Sequence, residues 1–212
     1  MKAAILTVGT EILFGQIINT NAAYISTELN NLGIDVMYHY TVGDNSKRLR
    51  ELVDEIFETC DLIVTTGGLG PTEDDLTKET ICEAMGDKLV LHEPSVDALK
   101  AYEKKQGRKI TDNNYKQAMM PEHATVFDNP VGTAPAFALK LDGRTAVCLP
   151  GPPREMRWLY ENRVKDYLGS MSDQVIFYKQ LRLFGIGEST LETRLLPLID
   201  NQTDPTIATY SK

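Results

Sequence analysis

Short apolar runs alternate with amphipathic stretches over the first part of the chain. The runs 3–8, 36–42 and 62–65 have the length of buried strands, and the first and third lead directly into glycine-bearing loops. Between the runs, segments 22–29 and 49–57 place apolar side chains at helical spacing. This alternation of strand and helix predicts an α/β fold, with a parallel sheet covered by helices on both faces.

The middle of the chain departs from this alternation. Helices are predicted over 93–107 and 111–120. Because neither has a matching strand, they look like an insertion that could cover a ligand site. An antiparallel pair over 136–149 turns at Asp142-Gly143, a type I′ hairpin signal, and is expected to close the edge of the sheet.

The last part of the chain has a different texture. It predicts a strand over 175–184, a helix over 188–196 and the start of a strand at 205–210. These elements cannot bury a core alone. We therefore predict two domains, a nucleotide-binding α/β domain over 1–169 and the beginning of a small α+β unit over 170–212. The tail is expected either to belong to a longer chain or to be completed by a second subunit, so a homodimer is predicted.

Composition narrows the class of protein. The 212 residues are 42% hydrophobic and carry a formal net charge of −8, which argues against general nucleic-acid binding because that requires a basic face. There is no apolar run long enough for a membrane span. Three widely spaced cysteines without a CxxC pair indicate neither zinc nor disulfides. A cytoplasmic protein is predicted.

The loop after the third strand carries the strongest candidate chemistry, with the sequence TTGGLGPTEDDLT over 65–77. Its glycines allow backbone N–H groups to approach a phosphate, and a helix is predicted to begin beyond them. Its three carboxylates would repel a bare anion, unless a divalent cation lies between, since Mg²⁺ is often held by carboxylates and substrate phosphates together. The loop lacks the Walker A and GxGxxG patterns. A metal-assisted site for a phosphorylated ligand is therefore predicted, with a purely structural turn as the alternative.

Loops at other strand ends add candidates. Glu11, after the first strand, is either a metal ligand or general base, or a solvated carboxylate. Asn19 and Asn21 could hydrogen-bond a ribose or base, but Asn21 is favoured as a helix cap. Because ligands of doubly wound sheets bind at the carboxyl ends of strands, these side chains are expected beside the glycine loop.

Two later loops suggest a second anion site. Gly132 and Thr133 offer phosphate-compatible donors, and Gly151 lies in a rigid turn before a helix. Arg154 could hold a second phosphate as a bidentate donor, or it could form a surface salt bridge. Together the loops suggest a ligand with two anionic groups, such as a diphosphate.

Several motifs in this order resemble the N-terminal half of the CinA competence/damage-inducible proteins and, more broadly, the MogA/MoaB-like molybdopterin-binding domains. The motifs are VGTE over 8–11, NTN over 19–21, TTGGLGPTEDD over 65–75, NPVGTAP over 129–135 and LPGPPREM over 149–156. The resemblance implies a three-layer α/β/α fold with a mostly parallel sheet and an antiparallel edge hairpin. It also implies that the tail is the start of a KH-like subdomain.

The resemblance further implies a metal-dependent ADP-ribose pyrophosphatase activity giving AMP and ribose 5-phosphate. The implied metal is Mg²⁺, Mn²⁺ or Co²⁺, with K⁺ as a further candidate. In the molybdopterin relatives the glycine loop and its acids bind the pterin phosphate and Mg-nucleotide. Full-length CinA proteins usually carry a C-terminal nicotinamide-nucleotide amidase domain, which is absent from this sequence.

The leading hypothesis is hydrolysis of the diphosphate bond of ADP-ribose or a similar nucleoside-diphosphate sugar, with Asp74, Asp75 and Glu11 holding the metal and carrying the catalysis. The predicted phosphate- and nucleotide-binding residues are Thr66, Gly67, Gly68, Gly70, Thr72, Asn19, Asn21, Gly132, Thr133, Gly151 and Arg154. A second hypothesis is a molybdopterin- or nucleotide-binding module without turnover. A third is a scaffold for the amidase domain.

Overall fold

A computed structural model describes residues 1–107, 109, 111–171 and 179–210. The chain divides into two compact units, over 1–176 and 177–212. The strands of the larger unit are β1 (Lys2–Val8), β2 (Asp35–Val42), β3 (Leu62–Thr66), β4 (Leu89–Leu91), β5 (Met119–Pro121), β6 (Thr125–Phe127), β7 (Ala136–Leu141) and β8 (Arg144–Leu149). Its helices are α1 (Thr10–Leu13), α2 (Thr20–Asn31), α3 (Ser46–Thr59), α4 (Thr77–Ala84), α5 (Glu93–Gln106), a 3₁₀ segment (Asp112–Ala118), α6 (Pro153–Leu159), a π turn (Tyr160–Val164) and α7 (Lys165–Gly169).

Six strands form one sheet in the order β2-β1-β3-β8-β7-β6. The pairs β1–β2, β1–β3 and β3–β8 are parallel, whereas β7 is antiparallel to β8 and β6. Every residue of the central strand β3 is buried, as expected for a parallel strand with helices on both faces. The predicted mostly parallel sheet is confirmed.

The strands divide the apolar core between two faces because successive side chains point in opposite directions. On one face Ala4, Leu6 and Ile63 pack with apolar residues of α3 and α4. On the other, Ile5 and Val64 pack with apolar residues of α2 and α6. Each face is thus sealed by helices, which confirms the three-layer arrangement.

The hairpin was predicted correctly, but its place in the sheet was not. Asp142 and Gly143 have φ angles of 50° and 79°, the positive values that a type I′ turn requires. The edge of the sheet is β6, which pairs outside β7. A three-residue strand is too short to show the alternation by which sequence reveals a strand.

Three other local predictions are corrected. The predicted helix over 111–120 is the 3₁₀ segment, opened by a capping box between Thr111 and Asn114 and followed by β5. The insertion has strands of its own, since β5 pairs with β4. The expected exit loop at 9–11 in fact leads into the short helix α1, whose start is held where Thr10 N–H and hydroxyl donate to Asp44 at 3.0 and 2.8 Å.

In the smaller unit the predicted helix is present as α8 (Glu188–Ile199). The predicted strand over 175–184 lies partly outside the described residues, and its described part, 179–184, is not in a strand. The segment 205–210 is not in a strand either. Throughout the described part of the chain, no helix combines the length and the apolar character needed to cross a membrane.

Candidate functional site

A cavity of about 560 Å³ opens where β1, β3 and β8 end, at the carboxyl edge where ligands of such sheets bind. Twelve of the fourteen predicted site residues line it. They are Glu11, Asn19, Asn21, Thr66, Gly67, Gly68, Gly70, Thr72, Asp74, Asp75, Thr133 and Gly151. The chain reversals after three strands therefore bring together loops that are up to 140 residues apart in sequence.

The other two predicted residues lie elsewhere. Gly132 lines a neighbouring cavity of about 420 Å³ beside α5, and Thr133 lines both cavities. Arg154 lines neither of these cavities. The following residue, Glu155, lines the larger cavity instead, so the loop before α6 presents an acid where sequence reasoning placed a base.

The glycine loop takes its shape from contact with the end of β1. Gly67 has φ 102°, and a Cβ there would lie 2.1 Å from the carbonyl oxygen of Val8, a distance that excludes every other residue. Its N–H donates to the carbonyl of Leu149 at 3.0 Å. The Thr77 hydroxyl donates to the carbonyl of Gly67 at 2.9 Å. Gly67 therefore shapes the loop, while its N–H is already committed and does not face a ligand.

Three hydrogen bonds link the end of β3, α2 and the loop that precedes α6 to one another. The Thr66 hydroxyl donates to the Pro150 carbonyl at 3.0 Å and accepts from Asn21 Nδ2 at 2.9 Å. Asn21 Nδ2 also donates to the Gly151 carbonyl at 2.8 Å. Because a carbonyl can only accept, the amide nitrogen must point this way. The Oδ1 atom of Asn21 is consequently buried without a partner among the described residues.

The two asparagines exchange the roles that the sequence suggested. Asn19, not Asn21, caps α2, since its Oδ1 accepts from the Ala22 N–H at 3.0 Å. Its Nδ2 donates to the Thr7 hydroxyl at 2.9 Å. The favoured interpretation of Asn21 as a cap is therefore wrong, because the helix begins two residues earlier than that role requires.

The acidic part of the loop is folded on itself. One carboxylate oxygen of Asp75 accepts from both the N–H and the hydroxyl of Thr72. Lys116, from the 3₁₀ segment, donates to the carbonyls of Thr72 and Asp75 at 2.8 and 2.6 Å. The closeness of the Thr72 side chain, together with a backbone donor, lowers the pKa of Asp74. The insertion thus anchors the acidic loop, and Asp74 is ionised at neutral pH.

The predicted metal ligands share the cavity but are not drawn into one cluster. Asp74, Asp75 and Glu11 all line it. Within the described residues, the group of acids and histidine whose ligand atoms lie within 4.8 Å of one another is a different one, formed by Asp87, Glu122 and His123. One oxygen of Asp75 is moreover occupied by Thr72. A metal ion held by all three residues would require the side chains of Asp74 and Glu11 to move closer to Asp75. The divalent-metal site therefore stays a prediction.

The charge of the cavity is one-sided. Among the described residues, its lining contains five carboxylates, those of Glu11, Asp44, Asp74, Asp75 and Glu155, and no lysine or arginine. A bare anion would be repelled by such a surface. A ligand must therefore bring a cation with it, or offer hydrogen-bond donors to these acceptors.

Sequence reasoning missed several lining residues. Glu155 and Gln117 were not proposed, and neither were the apolar side chains of Ile17 and Ile18 at the rim. Gln117 donates to the carbonyl of Leu69 at 3.4 Å. The only signal in the sequence is the position of Glu155 beside Arg154 in a loop already singled out. Gln117 lies in a segment whose path no local pattern fixes.

Two known protein families match this chain, and together they cover nearly all of it. A family described as a probable molybdopterin binding domain matches residues 4–170, and the damage-inducible protein CinA KH domain matches 178–212. Proteins named competence-damage inducible protein from Acetivibrio thermocellus and Clostridioides difficile are 53% and 50% identical over the whole chain. The chain spans about half the length, 51%, of each of these curated relatives.

Two solved structures from related groups of proteins are similar to this chain. The crystal structure of CinA from Thermoplasma acidophilum, a protein described as having unknown function, is 36% identical with a TM-score of 0.71 and covers 78% of this chain and 98% of its own. A molybdopterin biosynthesis protein from Mycobacterium abscessus, at 16% identity and a TM-score of 0.53, covers 80% of this chain and 92% of its own. The second likeness concerns the fold alone.

These findings correct the leading functional hypothesis. The prediction of an ADP-ribose pyrophosphatase, and of a hydrolase in general, is wrong: the matching family is described by binding, and the relatives' names state no such activity. The predicted fold, with a MogA/MoaB-like domain and a KH-like tail, is confirmed. The chain belongs to the molybdopterin-binding-domain family, in the CinA group that joins this domain to a KH domain.

Proposed function

We propose that this chain is a binding module without turnover for a phosphorylated pterin or nucleotide. The ligand occupies the cavity at the carboxyl ends of β1, β3 and β8. The single observation that carries the proposal is the cavity itself, in which the glycine loop, Asn21 and Thr133 meet at the carboxyl ends of three strands. Ligands of doubly wound sheets bind at this edge.

The volume and the loops support the same assignment. About 560 Å³ lies within the range of small-molecule sites. The N–H groups of Gly68 and Gly70 make no hydrogen bond within the described part of the chain, so they are the donors available to a phosphate. Thr133 lines the same cavity and offers a further donor. The phosphate would therefore lie over the glycine loop.

The carboxylates of the cavity favour a divalent cation bound together with the phosphate. Five carboxylates around one cavity favour a ligand that arrives with a divalent cation, and Asp74, Asp75 and Glu11 are the residues proposed to hold it. Mg²⁺ is bound in this way, by few carboxylates and substrate oxygens together. When bound, the ion would neutralise phosphate charge that the protein itself does not neutralise.

Binding and melting measurements test the proposal. ADP, GDP, 6-hydroxymethylpterin diphosphate and pyrophosphate would each be titrated with and without Mg²⁺, because a ligand that binds only the native state raises the melting temperature. At least one ring-bearing probe is expected to bind with Mg²⁺ and to survive unchanged. Asp74→Asn should weaken Mg²⁺-dependent binding, whereas the exposed Asp166→Asn should not.

Two results would overturn the proposal. If no probe binds or raises the melting temperature, the chain fits the scaffold hypothesis instead. If a probe is converted to product at a rate that Asp74→Asn abolishes, the module is catalytic after all. The homodimer and the C-terminal amidase domain of the whole protein are further proposals, which sedimentation of this chain and assays of a full-length relative would test.

A further inference from the structure

Glu155 is a carboxylate whose position is fixed by the protein and not by a cation. The side chain is half-buried at the start of α6 and lines the cavity. Its Oε2 atom accepts from Asn129 Nδ2 at 2.7 Å. Burial raises the pKa of this carboxyl group, and the bond from Asn129 opposes the rise.

Asn129 itself has one possible orientation. Its Nδ2 donates to the carbonyl of Ala134 at 2.8 Å, and its Oδ1 accepts from the N–H of Val131 at 3.1 Å. Both partners are backbone groups with a single role, so the amide cannot flip. The Oε2 atom of Glu155 is therefore permanently an acceptor.

Gly132 fixes the carboxylate from another side. A Cβ at this glycine would lie 1.9 Å from Oε2 of Glu155, so the carboxylate lies directly against the backbone of Gly132. Held by Asn129 and by this contact, Glu155 has only one oxygen left to offer. That atom, Oε1, makes no hydrogen bond within the described residues, and its residue faces the cavity.

We propose that Oε1 of Glu155 binds a hydrogen-bond donor on the part of the ligand that is not phosphate. This inference rests on the proposed binding function. The cavity then offers an acceptor of fixed orientation, which suits a pterin or purine amino edge or the hydroxyls of a ribose. A fully ionised phosphate bound to Mg²⁺ has no proton to donate to this atom, so Glu155 selects ligands by their non-phosphate part.

The substitution Glu155→Gln distinguishes a hydrogen bond accepted by Oε1 from a general effect of the negative charge of Glu155. Asn129 would hold the carbonyl oxygen of the glutamine in the place of Oε2, so the amide nitrogen would replace Oε1. An acceptor becomes a donor at unchanged size. Electrostatics alone predicts that removing a negative charge tightens the binding of every anionic probe. The proposal predicts a loss of affinity for ring-bearing probes that carry the donor, and no loss for pyrophosphate.

The experiment is a titration of the full chain and its variants, with Mg²⁺, using the same probes as above. In Glu155→Gln, affinity for the ring-bearing diphosphates that carry the donor should fall about tenfold, the usual loss when a hydrogen bond to a charged group is removed. Affinity for pyrophosphate should stay the same or rise. Glu58→Gln, with the same charge change on the exposed face of α3, should alter neither.

One further probe identifies the donor. The compound 2′,3′-dideoxy-ADP lacks the sugar hydroxyls, as 6-hydroxymethylpterin diphosphate lacks the whole sugar. If the donor is a sugar hydroxyl, only ADP and GDP lose affinity in the variant; if it is the amino edge of the ring, all four ring-bearing probes do.

The outcomes are distinguishable. If the affinities for ring-bearing probes and for pyrophosphate change in the same direction, or if neither changes, Glu155 does not bind a donor on the ligand. In that case only this inference fails. If no probe binds the unaltered chain, the proposed function fails and this inference fails with it. A melting temperature of the variant close to that of the unaltered chain shows that the fold is retained.

Discussion

Lys78 gives the structure a pH dependence that can be measured. It lies in α4, one residue after the threonine that supports the glycine loop, and it is only 3% exposed. Its ammonium group donates to the backbone carbonyl of Lys116. Burial lowers the pKa of Lys78 from 10.5 to about 8, while the nearby Glu79 opposes the shift. The folded state therefore holds this proton less tightly than the unfolded chain does.

The sign and size of the effect follow from that difference. Between pH 8 and 10.5 the unfolded state binds more protons than the folded state, so the free energy of unfolding rises with pH. For these two pKa values, the rise contributed by Lys78 is about 2 kcal/mol between about pH 7 and 9.5. In Lys78→Met the group is absent and this contribution disappears.

The assay is urea unfolding at several pH values across that interval, for the unaltered chain, for Lys78→Met and for Lys47→Met. Lys47 is 84% exposed and serves as the control. Tyrosine ionisation in the unfolded state affects all three proteins alike, so it cancels in the differences. The difference between the unaltered chain and Lys78→Met should change by about 2 kcal/mol over the interval. If the two curves run parallel, Lys78 is charged and solvated in the folded state, and the burial argument is refuted.

Three further predictions concern backbone shape and capping. Gly67→Ala should lower the free energy of unfolding by about 3 kcal/mol or more, because strain at positive φ is joined by a clash with backbone. Gly86→Ala, at φ 73° with nothing within 4 Å, should lose only about 1 kcal/mol; equal losses in urea unfolding would refute the clash. Asn45→Ala removes the acceptor of the cap on α3 and should lose about 1 kcal/mol by the same measurement. Gly132→Ala should displace the carboxylate of Glu155 and reduce binding of ring-bearing probes about as much as Glu155→Gln does; unchanged binding would show that the carboxylate can move freely.

The sequence predicted best where one local rule determines the structure. The parallel strands follow from apolar runs of the right length, and the turn at Asp142-Gly143 follows from the two positive φ angles it demands. The gathering of twelve candidate residues at one cavity follows from topology, because parallel strands end at the same edge of the sheet. None of these inferences requires knowledge of a particular side-chain contact.

The predictions that failed depend on contacts between distant segments. Whether an asparagine caps a helix or braces a loop depends on what lies opposite, here Thr66 and the carbonyl of Gly151 for Asn21. The pairing of β4 with β5 likewise links segments about thirty residues apart through only three residues each. No local pattern contains that information.

Arg154 was predicted to line the cavity, but Glu155 lines it instead. This difference shows how a single contact determines the chemistry of a site. Adjacent residues at the start of a helix point about 100° apart, so only one of the two can face the cavity. Asn129 and the bare backbone of Gly132 receive the carboxylate, and the helix orientation then takes Arg154 away. The site consequently has acceptors where a diphosphate site would have a guanidinium. Under the proposed function, phosphate charge in this cavity would be met by backbone N–H groups and an accompanying cation, and the fixed carboxylate of Glu155 would be left for the part of the ligand that distinguishes one phosphorylated molecule from another.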